Sequence, residues 1–408
     1  MQNVMVLGAN TLQIPLIQQV KKAGHRAIVV SPHKGEPGFR FADYPVYANV
    51  LDKEIVLKYA NKVNVSGVIT DQTDIPVRTA AYVAEKMGLP GIGYETACLF
   101  TDKFLMRQKC KELGIPTLKY KKVYNVQEAI MFFETLNNEV ILKPSDNQGS
   151  RGVTIATSKK ELIDNFEKAM SYSNEGSVLV EQYVRGKEFV IEGLVHNYKF
   201  QNLICGEYSH FNLPGVFSSA KTIFPPIEQD NLIKQIEELN RKIITGFGLN
   251  NGRTHSEFIV EKNGQIYLVE TAARGGGVFI SSDVVPLTTG IDSEKVLIEI
   301  ATNKLKESPV ITKQNIYCCC LAFYLPVGEV ISLDNIAEIK SLPFIHRNNL
   351  ESLYIGMKTK PYTDKTGRLF MIISASSYEK LQDYIQNIKR KLTIKVQTSN
   401  GIKGPIWN

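Results

Sequence analysis

The sequence lacks the features that mark membrane, secreted and nucleic-acid-binding proteins. No apolar run approaches the ~20 residues of a membrane span. The N-terminus has neither a basic flank nor a small-residue cleavage site, so we expect no secretory signal. The formal charge is only +7, and the densest basic run, residues 389–391, has no interleaved aromatics, which favours a solvated helix face over a nucleic-acid site. We therefore expect a cytoplasmic globular protein with no membrane or nucleic-acid partner.

Cysteine is also scarce, and its spacing disfavours common metal motifs. The six cysteines, at positions 98, 110, 205, 318, 319 and 320, include no C-x-x-C pair. Three of them lie in the apolar run of residues 316–325, which predicts a buried strand. Reduced thiols in the core of a cytosolic protein explain them without a metal or a disulfide.

Glycine is missing where a dinucleotide site needs it. Residues 4–7 form a buried strand pattern that ends at Gly8, and strand and helix patterns then alternate up to about residue 90. This alternation predicts a Rossmann-like parallel sheet. A dinucleotide fingerprint needs three glycines in G-x-G-x-x-G, whereas Gly8 stands alone. The pattern therefore disfavours a nicotinamide-dependent oxidoreductase and favours a scaffold that forms part of a substrate cleft.

The chain is too long for one ordinary hydrophobic core. Its 408 residues, 43% hydrophobic and 22% charged, predict two or three globular domains. From about residue 315 a fresh pattern begins, with strands over 316–325 and 367–373 and a helix over 378–391. It predicts an α+β domain packed against the centre. Before it, the proline-containing residues 211–226 predict a mobile or substrate-contacting loop.

A predicted hairpin carries the most informative pattern. Residues 263–264 are Asn-Gly, the dipeptide that best supports a type I′ turn, and apolar runs flank them. With this dipeptide at the tip, Val260 faces Tyr267. The same register places Glu257 directly opposite Glu270.

Two opposed carboxylates require compensation. Directly opposed residues hold their Cβ atoms roughly 4.5–5.5 Å apart, so like charges there repel unless a cation intervenes or one pKa rises. Mg²⁺ suits Glu257 and Glu270, because it takes one or two carboxylates and completes its shell with water and phosphate oxygens. Arg274, four residues after Glu270, could reach a phosphate or a substrate carboxylate. The alternative is a surface hairpin with acidic ends, and the hairpin alone leaves both interpretations open.

Two lysines stand in unusual places. Lys103 falls in the first turn of a helix capped by Thr101 or Asp102, where the helix dipole disfavours a cation unless it faces an anion. Lys143 lies inside an apolar strand pattern, as an edge-strand gatekeeper or a phosphate ligand. The polar loop of residues 145–153 that follows could present backbone N–H groups to phosphate, or be a plain hairpin loop.

Taken in chain order, these motifs resemble the ATP-grasp superfamily of carboxylate–amine or carboxylate–thiol ligases. The resemblance is carried by Lys103 after an Asp, Ile-Leu-Lys-Pro at 141–144, Glu-Gln-Tyr-Val-Arg-Gly-Lys-Glu at 181–188, and Glu-Thr-Ala-Ala-Arg at 270–274. It is nearest to the biotin carboxylase and L-amino-acid ligase branches. It implies a multidomain protein of α/β and α+β class. The expected parts are a Rossmann-like (pre-ATP-grasp) domain over 1–100, an ATP-grasp domain over 101–310 with a lid over about 120–180, and an α+β domain over 311–408.

The resemblance implies an ATP and Mg²⁺ site. The residues expected at the triphosphate are two lysines and part of the covering loop, namely Lys103, Lys143, Ser150, Arg151, Gly152 and Val153. Those expected at the adenine and ribose are Glu181, Gln182, Tyr183, Val184 and Glu188, the last facing the ribose hydroxyls. Glu257 and Glu270 are implied as the Mg²⁺ ligands. Arg274 would act with Lys143 in catalysis and meet the γ-phosphate or an acyl phosphate.

The sequence departs from the superfamily pattern at Ala272. Many members have an Asn there, so one ligand of a second ion is absent, and we leave open whether one or two Mg²⁺ ions bind, with Mn²⁺ as an alternative. Gly275 and Gly276 suggest room for an acidic substrate group near Arg274. His255 either orients substrate or fills the strand end, and we slightly favour the packing role.

The reaction that the resemblance implies has two steps. A substrate carboxylate attacks the γ-phosphate of ATP to give an acyl phosphate, and an amine or similar nucleophile then displaces phosphate. The lid is expected to close and exclude water. The expected partners are a small-molecule carboxylate and an amine, and the fold class is compatible with a homodimer. Ala272 motivates an alternative, a non-catalytic nucleotide-binding or regulatory protein with the same fold.

Overall fold

The computed structural model describes residues 1–136, 139–145, 151–173, 175–361 and 367–408. Within these ranges the strands form four β-sheets. None of the helices described there is both long enough and apolar enough to cross a bilayer.

Buried apolar strands alternating with amphipathic helices build a parallel sheet near the N-terminus. Its strands, in the order β3-β2-β1-β4, are β1 (Asn3–Leu7), β2 (Arg26–Ser31), β3 (Tyr44–Tyr47) and β4 (Val65–Ile69). The accompanying helices are α1 (Ile14–Lys22), α2 (Lys53–Lys62), α3 (Val77–Lys86) and α4 (Tyr94–Leu99). The predicted Rossmann-like sheet is confirmed. The segment after β4 contacts the centre of the molecule through Asp71 and Asp74.

A second, antiparallel sheet follows α5 (Lys103–Glu112). Its strands, in the order β5-β8-β6-β7, are β5 (Tyr120–Val123), β6 (Val140–Pro144), β7 (Thr154–Ala156) and β8 (Val178–Gln182). Helices α6 (Val126–Phe133) and α7 (Lys159–Ser171) bury Phe133 and Phe166 in a core shared with Leu142 of β6. The region predicted as a lid therefore has an apolar core of its own.

The central sheet begins with long antiparallel strands. They are β9 (Gly186–His196), β10 (Lys199–His210), β11 (Ser219–Phe224), β12 (Gly252–Glu261) and β13 (Ile266–Ala272). The helices of this region are α8 (Asp230–Gly246), α9 (Val285–Thr289), which follows a π-helical turn at Ile280–Val284, and α10 (Ser293–Ala301). Because β11 pairs with β10 and β14, the second half of the predicted 211–226 loop is a strand.

The C-terminal part extends this sheet instead of only packing against it. Its elements are β14 (Tyr317–Phe323), β15 (Glu329–Asp334), α11 (Ile336–Lys340), β16 (Ile345–Asn348), β17 (Leu369–Ala375), α12 (Tyr378–Lys391), β18 (Thr393–Thr398) and β19 (Gly401–Lys403). The eight-stranded sheet runs β13-β12-β9-β10-β11-β14-β17-β16, and β15, β18 and β19 form a small sheet. The central sheet thus continues across the domain limit predicted at residue 310.

The hairpin of β12 and β13 has a different turn from the predicted one. The carbonyl of Glu261 accepts from the Gly264 amide (2.9 Å), and the Glu261 amide donates to the Gln265 carbonyl (3.0 Å). Gly264 takes a positive φ of +86°, but Asn263 does not. A type I′ turn needs positive φ at both positions, so the prediction was wrong and the loop has three residues.

The longer turn shifts the register by one residue. Val260 pairs with Ile266 and not, as predicted, with Tyr267. A β-bulge next to Glu257 then takes up the shift, so that Glu257 and Glu270 are opposite each other after all.

Candidate active site

The two predicted metal ligands lie at one level of the β12–β13 hairpin and face one cavity. Glu257 and Glu270 line a cavity of about 430 Å³ together with Lys103 and Lys143. Glu257 accepts a hydrogen bond of 3.1 Å from the Tyr208 hydroxyl, and Glu270 lies 3.3 Å from the Lys103 ammonium. The cavity is in the size range of small-molecule sites, and its charges suit a phosphate-bearing ligand.

The donor set fits Mg²⁺ shared with a phosphate ligand. Among the described residues, no group of three or more His, Cys, Asp or Glu side chains could hold an ion. Mg²⁺ does not need such a group, because it is commonly bound by one or two carboxylates plus phosphate oxygens and water. Ala272 is buried and pairs with His255, so its side chain adds no ligand. Glu257 and Glu270 are therefore the residues that could hold the ion.

Lys103 occupies the first turn of α5, as predicted. The Asp102 side chain caps the helix by accepting from the amides of Phe104 (2.8 Å) and Leu105 (3.0 Å). This cap fixes where the helix begins and so fixes the direction of Lys103. The anion beside the Lys103 ammonium is the Glu270 carboxylate.

Lys143 is held by a buried network. Its ammonium lies 2.7 Å from Glu181, whose other carboxylate oxygen accepts from Arg107 at 2.6 Å. Burial by itself raises the pKa of Glu181, but Arg107 and Lys143 outweigh burial and lower it to about 2. The Glu181 side chain was expected at the adenine. It is fully buried and acts on the cavity by orienting Lys143.

Sequence reasoning missed Arg107. It also donates to the Val269 carbonyl at 2.6 Å, and it is almost fully buried. The available signal was its position four residues after Lys103, which places both cations on one face of α5. The polar composition of this helix concealed that signal.

Most of the remaining predicted nucleotide residues line the cavity. These are Arg151, Val153, Tyr183, Val184 and Glu188. Apolar side chains line the cavity as well, namely Ile141, Ile259 and, from the loop predicted over residues 211–226, Phe211, Val216 and Phe217. We call these five residues the apolar wall, and the cavity lining thus combines charged groups with apolar side chains.

Like Glu181, the predicted residues Gly152 and Gln182 do not line this cavity. Ser150 lies outside the described residues. Gly152 has φ of +72°, and a Cβ there would come within 2.8 Å of Pro144 and Tyr172, so it serves close packing. Gln182 is the last residue of β8, and its backbone N–H donates to the backbone carbonyl of Lys119 at 2.8 Å.

His255 is neither a simple packing residue nor a group lining the cavity. Its Nδ1 lies 2.5 Å from Glu192, and its Nε2 lies 3.3 Å from Glu257. Burial by itself lowers the pKa of His255, but the charge of Glu192 and hydrogen bonds to Glu192 and Glu257 outweigh burial and raise it to about 9. The protonated imidazole of His255 therefore lies between the carboxylates of Glu192 and Glu257. The sequence analysis did not identify Glu192 as part of this site.

Arg274 is oriented by the N-terminal sheet. Its guanidinium donates two hydrogen bonds of 2.8 Å to the Asp74 carboxylate. Asp74 lines a second cavity of about 630 Å³, whereas Arg274 lines neither this cavity nor the 430 Å³ cavity. Glu270, Lys103 and Arg151 line both cavities, so the two cavities meet at one of the predicted metal ligands, Glu270.

The room predicted beside Gly275 and Gly276 is filled by protein. A Cβ at Gly275 would lie 2.6 Å from the Arg253 guanidinium, and a Cβ at Gly276 would overlap Glu192 and His255. The Gly275 amide donates to Asp71 at 2.7 Å. These glycines allow close packing behind Arg274, and the prediction of an open pocket there was wrong.

Comparison with known proteins defines the class. Residues 136–283 match the family described as the ATP-grasp domain. In fold, the chain superposes on the L-amino acid ligase from Bacillus licheniformis with a TM-score of 0.83 at 20% identity, covering 98% of this chain and 99% of that chain. A biotin carboxylase from Campylobacter jejuni gives a TM-score of 0.74 at 17% identity, covering 99% and 93%. The chain therefore has the fold of these ligases, and its residues 136–283 match an ATP-grasp domain.

The chain also resembles a curated protein in sequence. An alanine–anticapsin ligase from Bacillus subtilis (strain 168) is 26% identical over 273 residues, which is 62% of this chain. The match spans 58% of the length of that relative.

Proposed function

We propose that this protein is an ATP- and Mg²⁺-dependent ligase that activates a carboxylate as an acyl phosphate and couples it to an amine. The observation that carries the proposal is that Lys103, Lys143, Glu257 and Glu270 line one cavity of about 430 Å³. Cations and paired carboxylates, together with the apolar wall, suit a nucleoside triphosphate.

Each group has a defined task in this proposal. Lys103 and Lys143 neutralise the triphosphate, and Glu257 and Glu270 hold Mg²⁺. The ion, when bound, offsets negative charge on the phosphates. The apolar wall beside Tyr183 and Val184 receives the adenine, and Glu188 faces the ribose. The protein thus supplies orientation and charge, which is most of what phosphoryl transfer requires.

The proposed reaction has two steps, formation of an acyl phosphate and its displacement by the amine. A carboxylate oxygen of the substrate attacks the γ-phosphorus, the bond to the β–γ bridging oxygen breaks, and ADP leaves. The amine nitrogen then attacks the acyl carbon, phosphate departs with the former carboxylate oxygen, and the amine loses a proton. In this proposal Arg274, which is held by Asp74, stabilises negative charge on the acyl phosphate.

The second cavity is the proposed chamber for the acid and the amine. It meets the nucleotide cavity at Lys103, Arg151 and Glu270, so a ligand there can reach the γ-phosphate. Two relatives carry amino acids in their names, as alanine–anticapsin ligase and L-amino acid ligase. Amino acids are therefore the first acids and amines to test.

A screen of acid and amine pairs for ADP release tests the proposal. ADP release that depends on Mg²⁺, on a carboxylate and on an amine supports it, and the condensed product should appear by mass spectrometry. No ADP release with any pair of a broad panel counts against it.

Ala272 favours a second candidate, a nucleotide-binding protein without turnover. Calorimetry separates the two. Binding of Mg·ATP with no ADP release from any pair indicates this second function.

A further inference from the structure

Glu192 is a buried carboxylate that contacts two different parts of the candidate active site. It lies on β9 with 1% of its surface exposed. Burying a charge costs free energy unless the charge is paired and hydrogen-bonded. Both oxygens of Glu192 have such partners, and both partners lead to residues of the proposed reaction.

One carboxylate oxygen of Glu192 contacts His255, which in turn contacts the proposed metal ligand Glu257. Glu192 is the register partner of His255 on β12, and Glu257 lies two residues further along that strand. Because side chains alternate along a strand, all three lie on the same face of the sheet. The contacts are 2.5 Å from Glu192 to His255 and 3.3 Å from His255 to Glu257.

The other carboxylate oxygen of Glu192 contacts the backbone close to Arg274. It accepts from the Gly276 amide at 2.9 Å, two residues after Arg274. A Cβ at Gly276 would overlap both Glu192 and His255, so this approach requires glycine. One carboxylate therefore fixes the carboxylate of Glu257 and the backbone that follows Arg274.

We propose that Glu192 is a positioning residue, which holds the metal-binding carboxylate of Glu257 through His255 and fixes the loop after Arg274 through the Gly276 amide. The proposal rests on the ligase function proposed above. Groups that orient metal ligands typically affect metal affinity 10–100-fold. Glu192 contacts neither the nucleotide cavity nor the second cavity.

The test measures Mn²⁺ affinity at saturating ADP, from the electron paramagnetic resonance signal of free Mn²⁺. Glu192→Gln should weaken Mn²⁺ binding by about 10-fold or more. His255→Gln should do the same. Because Glu192 acts on Glu257 through His255, the double variant should equal His255→Gln alone. ADP affinity in EDTA should stay at the wild-type value.

The outcomes separate this proposal from the ligase function. A wild-type protein that binds neither ADP nor Mn²⁺ with ADP overturns both. Unchanged Mn²⁺ affinity in Glu192→Gln overturns only the role of Glu192. Additive losses in the double variant also overturn the role of Glu192, because the effect is then not transmitted through His255. An equal loss of ADP affinity in EDTA overturns it as well, because the effect is then not specific to the metal.

A second pair of variants covers the case in which Glu192→Gln does not fold. Gly276→Ala displaces the Glu192 carboxylate and should weaken Mn²⁺ binding to a similar extent. Gly277→Ala is its matched control, because a Cβ there meets only the Gln72 carbonyl at 3.6 Å. Glu294→Gln controls for loss of a buried carboxylate elsewhere. Equal Mn²⁺ affinity in Gly276→Ala and Gly277→Ala contradicts the proposal.

Discussion

Arg274 and Asp74, 200 residues apart in the sequence, form an ion pair with two hydrogen bonds of 2.8 Å. The pair joins the segment after β13 to the segment after β4, and Arg274 is only 8% exposed. Two hydrogen bonds to one carboxylate fix the plane of the guanidinium. Arg274 is therefore held in one orientation by the segment that follows β4.

Asp74→Asn keeps the shape of the side chain but removes its charge and one acceptor. We expect kcat for ADP release to fall about 10–100-fold, because Arg274 is no longer held in place. The KM for ATP should change little, since neither residue lines the nucleotide cavity. Steady-state kinetics of this variant and of Asp383→Asn, on the exposed face of α12, check this. A kcat equal to that of the control contradicts the assigned orientation.

Local sequence patterns were sufficient to predict the carboxylate pair. The register counted outward from the predicted Asn-Gly turn placed Glu257 opposite Glu270, although that turn was wrong. The pair is found because the bulge next to Glu257 offsets the longer turn. Neither the longer turn nor the bulge has a distinct signal in the sequence pattern.

The supporting residues could not be predicted in this way. Asp74, Glu192 and Arg107 act on side chains that are 200, 63 and 74 residues away, on other elements. Local periodicity places a residue on a face of its own helix or strand, but it does not identify the partner across a sheet. Only the three-dimensional arrangement shows that these charges are buried and paired.

Glu181→Gln should destabilise the protein strongly. It leaves Arg107 and Lys143 buried without their counter-charge, which typically costs about 3–5 kcal/mol. The measurement is urea unfolding at pH 7, with Glu338→Gln, from an exposed ion pair with Lys391, as the control that should cost less than about 1 kcal/mol. Similar losses in both variants contradict the buried network.

The same carboxylate predicts a pH dependence. The folded pKa of Glu181 is about 2, below the usual value of 4.5, so its contribution is present above pH 4.5 and is lost as pH falls toward 2. The lowered pKa corresponds to roughly 3 kcal/mol. The wild-type protein should lose this stability on acidification, whereas Glu181→Gln should lack that component. Parallel pH profiles of the unfolding free energies of the two proteins would rule out this contribution of Glu181.

Glu294→Gln should stabilise the protein at neutral pH. Within the described part of the chain, both oxygens of this buried carboxylate lack a hydrogen-bond partner. Burial and the charge of Asp71 raise its pKa well above 4.5, although Arg253 opposes the shift. A raised carboxylate pKa leaves stability unaffected below about pH 4.5 and lowers it increasingly above that value.

Glu294→Gln should therefore have a higher free energy of unfolding than the wild type at pH 7, and this gain should be close to zero at pH 4. Thermal and urea unfolding at both pH values measure it. A variant that is less stable than the wild type at pH 7 shows that Glu294 is ionised and paired in solution.

Glu270→Ala tests the carboxylate pair itself. Removing one of two carboxylates leaves Glu257 to hold Mg²⁺ alone and takes the counter-charge from Lys103, so Mg·ATP binding should weaken and ADP release should fall about 10²–10³-fold. Glu261→Ala, at the end of the paired strand β12 and outside both cavities, should keep wild-type activity. Isothermal calorimetry with Mg·ATP and with ATP in EDTA separates the two causes. Loss of the metal ligand weakens only the first, whereas a disturbed Lys103 weakens both. Wild-type turnover in Glu270→Ala is incompatible with Mg²⁺ held by this pair.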